Sequence, residues 1–461
     1  MMTKFTKMLD LIINVLNKDA DTQVDVCMTS QMANLIELWT RMYENRSPWV
    51  NNKDVSSANL APAIASEIAR LVTLELKSEV TGGPAADYLN EQYQRKVIKD
   101  LRRYVEYGCA KGGLIMKPYI TKQGIEVQFV QADCFFPLGF DSSGRLTQCV
   151  FTEQFRKGQK IYTRLEVHTL QGNRVHITNR AFVATNDYSL GSEVAVNSID
   201  RWSELVPELL LEGADRLLFG YFKVPLANAD DSDSPLGVSV YSRAIGLIKE
   251  ADRRYSNICW EYEGTQLAVH IATSLLKYNQ DQDKYEYPGG QERLYRNVDY
   301  NTGATDKPFI DTFSPEIRDT ALFNGFNNQL KLVEFNCNLA YGTLSDPQSV
   351  DKTATEIKTS RQRSYVMVSD TQMALQDALE DLVYAMSFWA ALYGLIPAGN
   401  DYEVSSDWDD SVIVDAELER QTDRADVAMG AMSLAEYRAK WYGETLEEAA
   451  KNLPEPALTE E

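Results

Sequence analysis

Apolar positions recur at helical spacing from the start of the chain: Phe5, Leu9, Ile12 and Leu16 predict a first packing helix. Lys4 and Lys7 precede Leu11-Ile12-Ile13 as in a secretory leader, but Asp10 interrupts and no small-residue cleavage site follows. Ser30 is placed to cap a second helix through Leu35, Leu38, Trp39 and Met42, which Ser47-Pro48 ends. A third carries Leu60, Ile64, Ile68, Leu71 and Val72 and runs to Gly82-Gly83-Pro84. A fourth carries Leu89, Tyr93, Val97, Leu101 and Val105 and ends near Gly108.

The period then shortens. From Gly113 to about Thr185, β-branched and aromatic runs (125–130, 148–155, 160–168, 174–184) alternate with turn sequences such as Asp141-Ser142-Ser143-Gly144 and Gln171-Gly172-Asn173. This predicts an antiparallel meander. A further apolar run, 217–224, leads to Pro225.

Helical spacing returns after Ser239. Ala244, Ile248, Ala251, Tyr255, Ile258 and Tyr262 form a narrow seam suited to packing against another helix. Residues 265–314 read as mixed strand and loop. Pro315 sits where a favoured first helical residue would be, ahead of a seam at Leu322, Phe326, Leu330, Val333, Cys337 and Ala340. A Gly342- and Pro347-containing loop, 341–352, precedes one long helical pattern over 353–394, with Leu375, Leu379, Leu382, Met386, Trp389 and Tyr393 on its seam. A strand is expected over 401–414, then helices over 415–429 and 434–442 and one ending at Pro454, with Ser433 and Glu436 spaced as a capping box. The whole predicts an α+β chain that is mainly α.

Composition removes several classes. The 461 residues, 44% apolar and 25% charged, suffice for a large core. The net charge of −21 is the wrong sign for a static nucleic-acid binder, which must replace the counterions around phosphates. Six scattered cysteines, with no CxxC, read as reduced and buried. The charge-free run 382–400 is shortened by Pro397 and Gly399 and follows a charged amphipathic stretch, so a buried or subunit-facing helix is expected rather than a membrane span.

Catalytic motifs are missing. The only histidines are His168, His176 and His270; the first two flank one hairpin, but two ligands do not make a zinc site. Lys111-Gly112-Gly113 lacks P-loop spacing, and no GxSxG or GxGxxG lies at a strand–helix junction. Asp230-Asp231-Ser232-Asp233 and Asp407-Trp408-Asp409-Asp410 read as exposed acidic turns. The chain is expected to be no enzyme and to hold no metal or cofactor.

Three stretches, in order, carry a resemblance. The first is Leu218-Phe219-Gly220-Tyr221-Phe222-Lys223-Val224-Pro225-Leu226-Ala227-Asn228, running into Ser234-Pro235-Leu236-Gly237-Val238-Ser239-Val240-Tyr241. The second is Asp351-Lys352-Thr353-Ala354-Thr355-Glu356, and the third is Gly430-Ala431-Met432-Ser433 with Gly443-Glu444-Thr445-Leu446-Glu447-Glu448-Ala449. With the helix–meander–helix–insertion–helix order, the chain resembles the portal proteins of tailed double-stranded-DNA bacteriophages, the long-tailed subgroup in particular.

The resemblance implies the portal fold in a dodecameric ring: wing 1–237, first stem helix 238–264, clip 265–314, second stem helix 315–340, tunnel loop 341–352, long wing helix 353–395 and crown 396–461. It implies a place in the virion at the capsid portal vertex, with assembly in the host cytoplasm. The implied partners are further copies of the chain, the major capsid protein and scaffold, the terminase large subunit, a head–tail adaptor, and double-stranded DNA passing through without sequence recognition; no membrane is implied. The tunnel loop then holds Gly342, Thr343, Leu344, Ser345, Asp346, Pro347, Gln348, Ser349, Val350 and Asp351. The clip offers Tyr278, Tyr285, Tyr287, Tyr295 and Tyr300 to partners. Opposite the seam of the second stem helix, Glu316, Asp319, Asn324, Asn327, Asn328, Lys331, Glu334 and Asn338 are expected to face the channel. In one respect the sequence departs from the pattern: Gly264 is followed by Thr265-Gln266-Leu267 where related chains carry basic residues.

Overall fold

The computed structural model describes residues 4–19, 28–51, 54–186, 188–232, 234–273, 276–280, 283–286, 294–298, 310–346, 354–397, 399, 402–408 and 416–453. The chain divides into two compact units, Met1–Thr73 with Glu79–Val404 and Leu74–Ser78 with Ser405–Glu461.

The larger unit begins with α1 (Lys4–Asp19), α2 (Ser30–Tyr43) and α3 (Leu60–Thr73). The cap of α2 is Thr29 rather than Ser30: its hydroxyl accepts the Met32 N–H at 3.0 Å. The helix expected to reach Gly82 stops at Thr73, and strand β1 (Leu76–Gly82) follows, its Leu-Lys-Ser-Glu-Val alternation having the period of a strand. The expected single helix through Val105 is two, α4 (Ala86–Lys96) and α5 (Leu101–Lys111), separated by a 3-10 turn at Ile98–Asp100 whose last residue, Asp100, leaves helical geometry. Both halves still bury their apolar face, through Leu89, Tyr93, Leu101 and Val105.

The meander expected over 113–185 forms as β2 (Gly113–Thr121), β3 (Gly124–Gln131), β4 (Phe135–Phe140), β5 (Leu146–Lys157), β6 (Lys160–Gln171) and β7 (Arg174–Ala184); β8 (Ser192–Val194) and β9 (Glu208–Glu212), which lie beyond it, and β10 (Gly220–Lys223), within the apolar run 217–224, follow. Strands β4 to β8 lie in sequence order in one six-stranded sheet in which β9 also pairs with β7; β10, β2 and β3 form a second. Phe135, Phe151, Val175, Leu218 and Phe219 build the core between them.

Helix α6 (Ile245–Gly264) leads into β11 (Ala268–Ala272), β12 (Lys277–Asn279), β13 (Lys284–Glu286), β14 (Tyr295–Val298) and β15 (Ile310–Phe313). Here β11 lies between parallel β14 and antiparallel β15, and β12–β13 is a hairpin. Helix α7 (Asp319–Asn336) follows, then α8 (Ala354–Leu392). The expected seam of α8 is buried at Leu375, Leu379, Leu382 and Met386. Gly220 permits the approach of β10: a Cβ there would lie 2.1 Å from the Ala378 carbonyl oxygen of α8. Among the described residues no helix is long and apolar enough to cross a membrane.

Strand β16 (Tyr402–Trp408) forms inside the stretch expected to be a strand, whose remaining residues, 401 and 409–414, lie outside the described residues. In the smaller unit, α9 (Ala416–Met429), α10 (Leu434–Tyr442) and α11 (Leu446–Lys451) follow. The Ser433–Glu436 capping box forms, and Thr445–Glu448 forms another. The Asp423 carboxylate joins α9 to α10, accepting from Trp441 Nε1 at 2.8 Å and pairing with Lys440 at 2.7 Å.

Candidate functional site

Most sequence-derived candidates fall on α6, α7 and the segments joined to them. The two helices run antiparallel, as three links show: Arg318 with Glu261, the Gly325 carbonyl with Arg254, and the Leu247 carbonyl with Gln329. Ile248, Ala251, Ile258, Leu330 and Val333 are buried along the seam. Tyr255 and Tyr262 stand at its edge, meeting Phe326 and Phe323 with ring centroids 6.3 and 6.4 Å apart.

Helix α7 starts at Asp319, not at Pro315. The preceding residue is held by α6: Glu261 accepts from the Arg318 backbone N–H at 3.2 Å and from its guanidinium at 3.0 and 2.7 Å. The Arg318 side chain and backbone, in that order, bring the Glu261 carboxyl down to about 2, against a smaller upward push from burial. At the other end α7 stops at Asn336, and Asn338 takes φ of 56°, a left-handed conformation that asparagine tolerates after a helix.

The expected channel-facing stripe therefore splits. Asn324 and Asn328 are exposed and Lys331 is half-buried on the outer face. Leu332 and Phe335 share that face and are also exposed. Asp319 is exposed in the first turn, while exposed Glu316 precedes the helix. Asn338 lies beyond its end. Glu334 does not face outward: it is fully buried. It lies four residues from Leu330 and three before Cys337, so it shares their side of the helix.

What Glu334 meets is the next segment. One carboxylate oxygen accepts the backbone N–H of Gly342 (3.1 Å), Leu344 (2.6 Å) and Ser345 (2.8 Å); the other accepts the Ser345 hydroxyl at 2.9 Å. Two turns earlier on α7, Asn327 accepts the Asp346 N–H at 2.7 Å. The expected surface loop is thus packed against α7 over Gly342–Asp346, with Ser345 buried and only Thr343 and Asp346 exposed. Pro347, Gln348, Ser349, Val350 and Asp351 lie outside the described residues. An acid on the apolar side of a helix, followed by Gly342 and Ser345, is the signal in the sequence for this contact.

Of the clip tyrosines, Tyr278 and Tyr285 are cross-strand partners with rings edge-on at 5.2 Å, both exposed. Tyr295 sits opposite Val269 on β14. Tyr287 and Tyr300 lie outside the described residues.

The histidines do not converge. Thr169, not His168, pairs with His176 across the hairpin, so the two rings project from opposite faces of the sheet. His176 meets Glu208. His168 belongs to a buried ionic cluster around Glu166. Lys117 Nζ is 2.8 Å from both Glu166 oxygens, His168 Nε2 is 2.8 Å from one, and Arg164 is 3.0 Å from the other. Burial alone would raise the Glu166 pKa, but Lys117, His168 and Arg164 hold it well below the usual carboxylate range. Burial also lowers the His168 pKa, against the pull of Glu166. With a carboxylate on Nε2, that nitrogen carries the proton, and the buried Nδ1, without a partner, stays unprotonated. Cys109, Cys149 and Cys337 are buried as expected, whereas Cys134 is exposed. Burial pushes the Cys109 thiol up to about 12, which keeps it inert. Among the described residues no cluster of His, Cys, Asp and Glu is arranged to hold a metal.

The family profile described as "Phage portal protein, SPP1 Gp6-like" matches residues 35–452. A solved structure titled "Neck of native GTA particle computed with C12 symmetry" is similar with a TM-score of 0.42 and 12% identity, over 82% of this chain and 89% of that one. No curated protein matches.

Proposed function

Because the chain belongs to the SPP1 Gp6-like family of phage portal proteins, structural components of the virion, we propose that its copies close into a ring at one capsid vertex, twelve-fold in the virion. DNA enters and leaves the head through the ring's channel. The ring sits among major capsid protein and scaffold during assembly in the host cytoplasm. Its clip holds the terminase large subunit during packaging and the head–tail adaptor afterwards.

The observation that carries this reading is apolar surface left on α6 and α7 of the isolated chain. Trp260 is 69% exposed, and Phe323, away from the Asn324–Asn328 face, is about half exposed. Such surface on paired helices calls for a second protein surface, and a closed ring of identical chains supplies one. The net charge of −21 supports the passage of DNA: a ring of acidic chains offers no dense cationic wall on which phosphates would stall. Native mass measurement tests the ring; monomer alone at micromolar concentration overturns it. Replacing Tyr278 and Tyr285 with serine is expected to abolish adaptor binding on intact rings, and unchanged binding overturns the assignment of the clip.

A further inference from the structure

The buried carboxylate of Glu334 has a role that the portal reading does not supply. All four hydrogen bonds described for it come from residues 342–345, and none from its own helix. Successive backbone N–H groups turned toward one point form a concavity that suits an anion. Here the anion is a side chain of the preceding helix. Asn327, two turns back on the same helix, takes the Asp346 N–H. The chain leaves α7, reverses at left-handed Asn338, and comes back along the helix that it has just left. Gly342 is suited to the turn, with φ of 87°.

We propose that Glu334 and Asn327 are positioning residues that make Gly342–Asp346 a rigid extension of α7, so that the root of the loop moves with the stem helix and not independently of it. The consequence for DNA rests on the portal reading. The height of the loop in the channel is then set by α7, and a shift of that helix is passed to the loop through one carboxylate. A carboxylate suits this task better than an amide. It accepts at both oxygens without presenting a donor to the amides, and bonds to a charged acceptor are roughly twice as strong as neutral ones.

The test uses assembled rings of the full chain, read by amide hydrogen exchange. In Glu334→Gln, whose oxygen still accepts but carries no charge, the amides of Gly342, Leu344 and Ser345 are expected to exchange about five- to tenfold faster, the factor that exchanging a charged acceptor for a neutral one implies. The amides of 330–333 are expected to be unchanged. Glu334→Asp, which keeps the charge, is expected to restore part of the protection, and Ser345→Ala to cost less than Glu334→Gln. Unchanged exchange in Glu334→Gln overturns the proposal. Equal acceleration along α7 also overturns it, because Glu334 would then support the helix rather than the loop. Retention of packaged DNA by the same rings is a separate readout. Faster exchange with normal retention keeps the clamp and refutes the channel position of the loop.

Discussion

Gly112 and Gly237 pass each other backbone to backbone, with no room for a side chain on either. A Cβ on Gly112 would lie 2.5 Å from the Gly237 carbonyl oxygen, and one on Gly237 would lie 2.1 Å from that of Gly112. Gly112 ends α5 in a left-handed conformation, with φ of 90°. Its carbonyl accepts the Val224 N–H at 3.2 Å, and the Cys109 carbonyl accepts the Val240 N–H at 3.0 Å. The stretch around Gly237 is thereby fastened to the end of α5. Gly237→Ala is expected to destabilise the chain by about 1–3 kcal/mol through overpacking against rigid backbone. Gly112→Ala is expected to add about 1–2 kcal/mol for the left-handed conformation. Urea unfolding midpoints check both, and a Gly237→Ala midpoint equal to wild type contradicts the contact.

The Glu166 cluster makes stability depend on pH. Both Glu166 and His168 have folded pKa values below their unfolded ones, which are about 4.3 and about 6.5. The unfolded chain therefore binds more protons, and stability falls on acidification. His168 contributes first, as pH drops below about 6.5, and Glu166 follows below about 4.3. His168→Gln is expected to flatten the segment between pH 6.5 and 5, about the window of the histidine, while leaving the acid limb. Unfolding midpoints from neutral to acid pH measure it, and an unaltered slope contradicts the buried neutral ring. Lys117→Met, which strands Glu166 among fewer cations, is expected to cost about 3–5 kcal/mol at neutral pH.

The Glu261–Arg318 bridge joins the chain's exit from α6 to its return into α7, and so closes the neck of the β11–β15 region. The Glu261 pKa is lowered to about 2, so its contribution is present above the unfolded value and lost as pH falls toward 2. Arg318→Ala is expected to speed protease cleavage near residues 314–318 at neutral pH while leaving the rest of the digest unchanged. Wild type below its folded pKa is expected to behave likewise toward an acid protease. Equal cleavage rates in wild type and variant at neutral pH contradict the bridge.

Period and turn chemistry make the meander, the two seamed helices and the long helix legible, because each buries one face at a fixed spacing. Strand β7 and helix α10 occupy their expected residues. Other features failed for stated reasons. The strand β1 was read into the preceding helix because Gly82 is a stronger punctuation mark than the short alternation before it. Pro315 suggests a helix start, yet Arg318 is held by Glu261, 57 residues away on α6, in no local pattern. Glu334 was placed outside because acids usually are. Three of its four partners are backbone amides, which have no identity in a sequence; the fourth is the Ser345 hydroxyl. Gly237 stood inside the stretch that carried the resemblance, but only the contact with Gly112 gives its absence of a side chain a physical reason.

The outer face of α7 provides the last test, now restricted to the residues that are exposed. Asn324 and Asn328 are one turn apart and both exposed, whereas Glu334, once grouped with them, belongs to the buried side. Asparagine is a poor helix former, so two on an exposed face serve something other than helix stability. On the proposed reading, Asn324 and Asn328 present DNA with a neutral, well-hydrated surface beside half-buried Lys331. Asn324→Arg with Asn328→Arg adds two cations per chain without touching the Glu334 clamp or the seam. Arginine is the better helix former, so ring assembly is expected to survive. Each phosphate that the new side chains neutralise steepens the dependence of log affinity on log salt by about 0.9. Packaging by the double variant is therefore expected to slow most at low ionic strength and to recover as salt rises, while wild type shows no such recovery. Packaging rates measured against salt on rings of both proteins decide it. Coincident curves would mean that this face of α7 meets a neighbouring chain rather than DNA, as the exposed Leu332 and Phe335 beside it would then suggest.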